Sequence, residues 1–121
     1  MAKLDRVFSI CVRKGSADAA GIAECYTCGK RAPWRKLQAG HFQSRRYQAT
    51  RWTHSNCKPQ CGPCNLTAGE QYRFARRLDK EHGPGYALQI ENEARHGPRP
   101  TDEELAHLLQ YYVAEARRLT R

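Results

Sequence analysis

Two Cys-x-x-Cys pairs carry the first recognisable chemistry in this chain: Cys25-Tyr26-Thr27-Cys28 and Cys61-Gly62-Pro63-Cys64. A two-residue gap lets both thiolates of a tight turn face one ion, and two such knuckles close a tetrahedral all-sulfur shell. A shell of this kind leaves no position open for water, so its role is structural. Gly29 follows the first pair and Gly62-Pro63 turns the second. The expectation is a structural Zn²⁺ on Cys25, Cys28, Cys61 and Cys64. Cys11 reads as a core thiol, and Cys57 is left outside the ligand set.

Between and just after the knuckles stand His41, Asn56 and Asn65. A neutral imidazole takes up a proton near pH 7. A carboxamide orients a neighbour or offers an amide oxygen without titrating. Taken singly, His41 reads as a packed strand residue, Asn56 as a turn residue and Asn65 as a helix cap. Their charge setting is distinctive. The net charge is +9, and no Asp or Glu occurs from Cys25 to Gly69. Arg45, Arg46 and Arg51 follow His41, while Lys36, Lys58, Arg73, Arg76 and Arg77 extend the basic track. Counterion release rewards such clustering on a polyanion, and guanidinium forks match phosphate oxygens. Contacts of this kind position DNA without reading its sequence.

The elements that must hold these residues can be read from periodicity. Leu4, Val7, Phe8 and Cys11 have helical spacing, which predicts a helix over residues 3–13. Trp34 to Phe42 reads as a strand with His41 at its end. A helix is expected from near Asn65 to about Lys80, with Tyr72, Phe74, Ala75 and Leu78 on its apolar side. Gly83-Pro84-Gly85 breaks the chain before a helix over about Tyr86 to Arg95. Gly97-Pro98-Arg99-Pro100 breaks it again. Thr101-Asp102-Glu103-Glu104 has the form of a capping box, followed by the helical face Leu105, Leu108, Leu109, Tyr112, Ala116 and Leu119. At 121 residues and a mean hydropathy of −0.84, the core is thin and a metal staple is welcome. Trp34 and Trp52 read as packing around the small site.

The segments Cys25–Gly29, Ala39-Gly40-His41-Phe42, Thr50-Arg51-Trp52, Asn56 and Gln60-Cys61-Gly62-Pro63-Cys64-Asn65 together resemble the HNH (His-Me finger) nuclease superfamily, in its four-cysteine treble-clef form. More narrowly they resemble the bacteriophage NinG/Rap recombination endonucleases. The resemblance covers roughly residues 4–85. It implies an α+β fold, a small ββα-metal, zinc-stapled core with flanking N- and C-terminal helices. Residues 1–121 would form one nuclease domain, with a core at about 20–82 and a C-terminal helical extension at about 86–119. It also implies a metal-dependent DNA endonuclease, a hydrolase of phosphodiester bonds acting in DNA recombination on branched intermediates such as D-loops and Holliday junctions.

On that resemblance, His41 is the general base, Asn56 orients its imidazole or the backbone of its loop, and Asn65 ligates a catalytic Mg²⁺ or Mn²⁺ that neutralises the departing 3′ oxygen. Many superfamily members carry an acidic metal ligand where this chain has Gly40, so Glu70 and His54 are further candidates. The competing reading is a non-catalytic zinc-finger module that only binds nucleic acid. A third is a protein-interaction domain, which leaves the acid-free basic centre unexplained. No apolar run has the length of a membrane span, and spaced cysteines with no signal-peptide pattern at Met1–Asp5 suggest a reducing, cytoplasmic setting (the bacterial host cell, for a phage protein). A symmetric junction would suit a homodimer, with the Tyr111–Tyr112 helix as a candidate face.

Overall fold

A computed structural model describes residues 1–66 and 70–121. The chain is α+β, with two small antiparallel sheets and helices around them. Helix α1 (Ala2–Gly15) buries Leu4, Phe8, Cys11 and Val12, the stripe its periodicity demands. The hairpin of β1 (Ile22–Glu24) and β2 (Arg31–Pro33) carries the first cysteine pair in its connection, with Ala23 opposite Ala32. A second antiparallel pair joins β3 (Gln38–His41) to β4 (Cys57–Gln60), with His41 opposite Cys57 and Gln38 opposite Gln60. The connection between them holds α2 (Gln48–Arg51) and a 3₁₀ turn at His54–Asn56.

The strand expected over Trp34 to Phe42 is shorter in the structure. Trp34–Lys36 forms a 3₁₀ turn, and extended pairing begins only at Gln38. Trp34 is buried against the cysteine cluster, with the guanidinium of Arg35 at 4.4 Å and that of Arg13 at 5.1 Å from its ring. Packing and stacking override local β preference there.

The helix expected from Asn65 also differs at its start. Helix α3 (Gly62–Leu66) begins inside the second knuckle, so Asn65 lies within a helix and is not its N-cap. Residues 67–69 lie outside the described part of that expected helix. Its remainder is α4 (Glu70–His82), which buries Phe74 and Leu78. Helices α5 (Tyr86–His96) and α6 (Asp102–Leu119) follow the two Gly-Pro breaks, and the capping box is formed on both sides between Thr101 and Glu104.

Among the described residues, three apolar clusters hold the molecule together. One joins α1 to α6 and to the β3–β4 layer through Leu4, Phe8, Val12, Trp52, Tyr112 and Ala116. Another surrounds the cysteines with Ala23, Trp34 and Leu37. A third sets Tyr26 and Phe42 against Phe74, Leu78, Ala87 and Ile90 of α4 and α5. Helix α6 therefore shares a core with α1. Tyr112 is buried on Phe8, while its neighbour Tyr111 stays exposed. No described helix is long and apolar enough to cross a membrane.

Candidate metal centre and the His41 cleft

The four knuckle cysteines converge. Their sulfurs all lie within 4.8 Å of one another, and Cys28 and Cys61 are 3.7 Å apart. A tetrahedral Zn²⁺ with bonds of about 2.3 Å requires sulfurs about 3.8 Å apart, so the cluster fits a four-thiolate ion. The local backbone is built for it. Gly29 has φ +81°, a left-handed turn that glycine adopts without strain. Burial pushes the Cys25 thiol up, but backbone amides of Cys61, Cys28 and Thr27 and the Thr27 hydroxyl outweigh it and bring it to about 6. These are the donors that stabilise a coordinated thiolate. The set can hold a structural metal such as zinc. Cys57 and Cys11 stay outside it: burial raises their thiols to about 12 and about 11, and Cys11 packs on α6.

Beside this centre runs a cleft of about 550 Å³ between α1 and β3. His41 and Asn65 both line it, together with Gln38, Arg45 and, from α1, Phe8 and the polar side chains of Asp5, Ser9 and Arg13. Strand alternation places Ala39 and His41 on the face that meets α1. The His41 Nε2 is 2.9 Å from the carbonyl oxygen of Arg51. A carbonyl only accepts, so Nε2 carries the proton and Nδ1 holds the lone pair. Nδ1 lies 3.8 Å from Cys57 Sγ, a weak contact. Burial is the largest influence on His41 and pushes its pKa below the usual 6.5; the Arg45 and Arg51 charges add to the drop, against the Arg51 carbonyl and Asp5.

Asn56 orients the loop and not the imidazole. It is fully buried, its Oδ1 accepts from the Gln43 amide at 2.7 Å, and its Nδ2 donates to the carbonyls of Gln43 and Thr50 at 3.1 Å each. Its own carbonyl accepts from Phe42 N. It thus pins both ends of the segment leading from His41 to Arg51. Asn65 Nδ2 donates to Gln38 Oε1 at 2.7 Å.

Several expected residues fall elsewhere. His54 packs against the rings of Phe8 and Tyr112 and does not line the cleft. Glu70 pairs with Arg73 on its own helix and is also outside it. Arg51 is mostly covered, its fork closed on Asp5 at 2.6 Å and 3.1 Å. Arg77 donates to the Tyr26 carbonyl and pairs with Glu24 and Glu81. Each of these two cations is already bonded to protein groups. Arg45 is exposed at the cleft, and Arg46 and Lys36 are exposed nearby in the chain. Lys58 lies over the Tyr26 ring. Arg73 and Arg76 line a separate surface concavity with Arg77, Lys80 and Glu81.

The residues that sequence reasoning missed are Asp5, Ser9 and Arg13. Their spacing of four puts them in one stripe beside the apolar face of α1, a pattern present in the sequence but without a motif to flag it. Gly40, where an acid was the comparison, explains itself. A Cβ there would fall 1.8 Å from Gln60 Oε1 and 2.8 Å from its Cγ. Gln60 is buried and donates to Thr27 in the first knuckle. Comparison with protein-family models, curated proteins and solved structures finds no match.

Proposed function

We propose that this chain is a metal-dependent DNA endonuclease of the HNH type, with a treble-clef zinc core resembling the NinG/Rap enzymes. One observation carries the reading: His41, kept neutral with its Nε2 proton committed, lines the same cleft as Asn65, beside a cysteine cluster fit for zinc. His41 Nδ1 takes a proton from the attacking water as its oxygen bonds to phosphorus. The bond to the 3′ oxygen then breaks and that oxygen takes a proton from solvent water, leaving 5′-phosphate and 3′-hydroxyl ends. Arg45 and Arg13 supply positive charge to the phosphates on either side. Asn65 would hold a Mg²⁺ or Mn²⁺ ion through its amide oxygen, and the ion would supply charge neutralisation to the departing 3′ oxygen. Branched recombination intermediates are the substrate class the resemblance favours, and the basic surface suits them as it suits any DNA.

The alternative, a zinc module that binds nucleic acid without cutting, draws on one observation: both ring nitrogens of His41 have protein partners. Cleavage of plasmid and four-way-junction DNA with Mg²⁺ or Mn²⁺ decides between them. The nuclease reading expects nicks from the wild type and a loss of at least about a hundredfold in His41→Ala, with DNA binding retained. Equal binding and no cutting by either protein would establish the alternative.

A further inference from the structure

Asp5 stands on α1, remote in sequence from every motif residue, yet it closes on the segment that faces His41. Its Oδ1 accepts from Arg51 Nε at 3.1 Å and from Trp52 Nε1 at 2.9 Å, and its Oδ2 accepts from Arg51 Nη2 at 2.6 Å. Arg45 Nη1 lies 3.9 Å away. The side chains of Arg51 and Asp5 are only 16% and 21% exposed. A two-toothed guanidinium–carboxylate fork fixes orientation as well as distance. The backbone carbonyl of the same Arg51 receives His41 Nε2. The charged and titratable groups around His41 are Asp5 from α1, Arg45 and Arg51 from the loop, and Cys57 from β4. Of these residues, only Arg51 meets Nε2, through its carbonyl.

We propose that Asp5 is a positioning residue: by clamping Arg51 and Trp52 to α1 it holds the Arg51 carbonyl against His41 and so keeps the imidazole in its base tautomer. Helix α1 is then part of the working site, and Asn56 and Asp5 both hold the same loop. The catalytic consequence rests on the nuclease reading. The clamp itself does not.

The test uses the ¹⁵N-labelled full chain. In the wild type, His41 shows a protected Nε2–H and an unprotonated Nδ1. Asp5→Asn keeps the shape but turns an amide donor toward Arg51 Nη2, so the fork cannot close. Its Nε2–H signal is expected to broaden by exchange with water, with kcat for DNA cleavage down at least about tenfold and KM within about twofold. Arg51→Lys keeps the charge, loses the fork, and should behave alike, which covers the case in which Asp5→Asn does not fold. A folded variant with a His41 Nε2–H as sharp and protected as the wild type's overturns the clamp. Signal loss in a protein whose wild type cuts no DNA supports the clamp and overturns the nuclease reading alone.

Discussion

His41 joins two properties that usually oppose each other. It is sheltered enough to stay neutral, yet it borders open space. Its folded pKa is depressed, so between 6.5 and the folded value the unfolded chain binds a proton that the native chain refuses. Stability from this group is therefore fully present above pH 6.5 and lost as pH falls through the folded value. Cleavage should follow the same titration: a pH–rate profile is expected to stay flat from neutrality down past 6.5 and to fall only in more acid solution. A midpoint at or above 6.5 would contradict the sheltered, neutral His41. At this scale the sequence was legible where function is local. The cysteine spacing found all four metal-fit sulfurs, because a knuckle is a short-range object. Asp5 was invisible for the opposite reason, since its partners are 46 and 47 positions away. The protein partners of Arg51 and Arg77 were equally hidden, since a sequence cannot show that a guanidinium is already bonded.

The strands have three or four residues each, too short to stand alone in water. The cysteine cluster joins them, with sulfurs from the β1–β2 connection, the residue after β4, and α3. Structural zinc contributes on the order of 10 kcal/mol in small domains, comparable with the whole stability of such a fold. Stripping the metal with a strong chelator is therefore expected to collapse the thermal unfolding transition, and re-adding Zn²⁺ to restore it, read by circular dichroism. A purified protein that unfolds cooperatively without bound metal would refute a metal staple. Element boundaries were readable where the signal is local. The capping box at Thr101 and the Gly-Pro breaks mark helix ends through the chemistry of neighbouring residues. The strand from Trp34 was overdrawn because Trp34 answers to the cysteine cluster and two arginines, which no window of sequence contains.

Over the whole molecule, the charge is uneven in a way that sorts the arginines. Arg45 and Arg76 are exposed, while Arg77 is bonded to β1, Tyr26 and Glu81. Binding to a short DNA duplex should weaken steeply with salt, with a slope of about −0.9 per phosphate neutralised. Arg45→Ala and Arg76→Ala are each expected to flatten that slope by about one. Arg77→Ala should lower the melting temperature and leave the slope nearly unchanged; the reverse pattern would mean the internal bonds yield to DNA. The packing of α1 on α6 had no local signature, since its contacts join opposite ends of the chain. It makes the last helix part of the core under the cleft wall.

Gly40 and Gln60 share a single volume, so what one position gains the other must surrender. Introducing an aspartate at 40 alone would evict a carboxamide that steadies the first knuckle through Thr27. A related chain with a carboxylate at that point should therefore carry a smaller residue in place of Gln60. Two sites that look independent along the polypeptide would then change hands together.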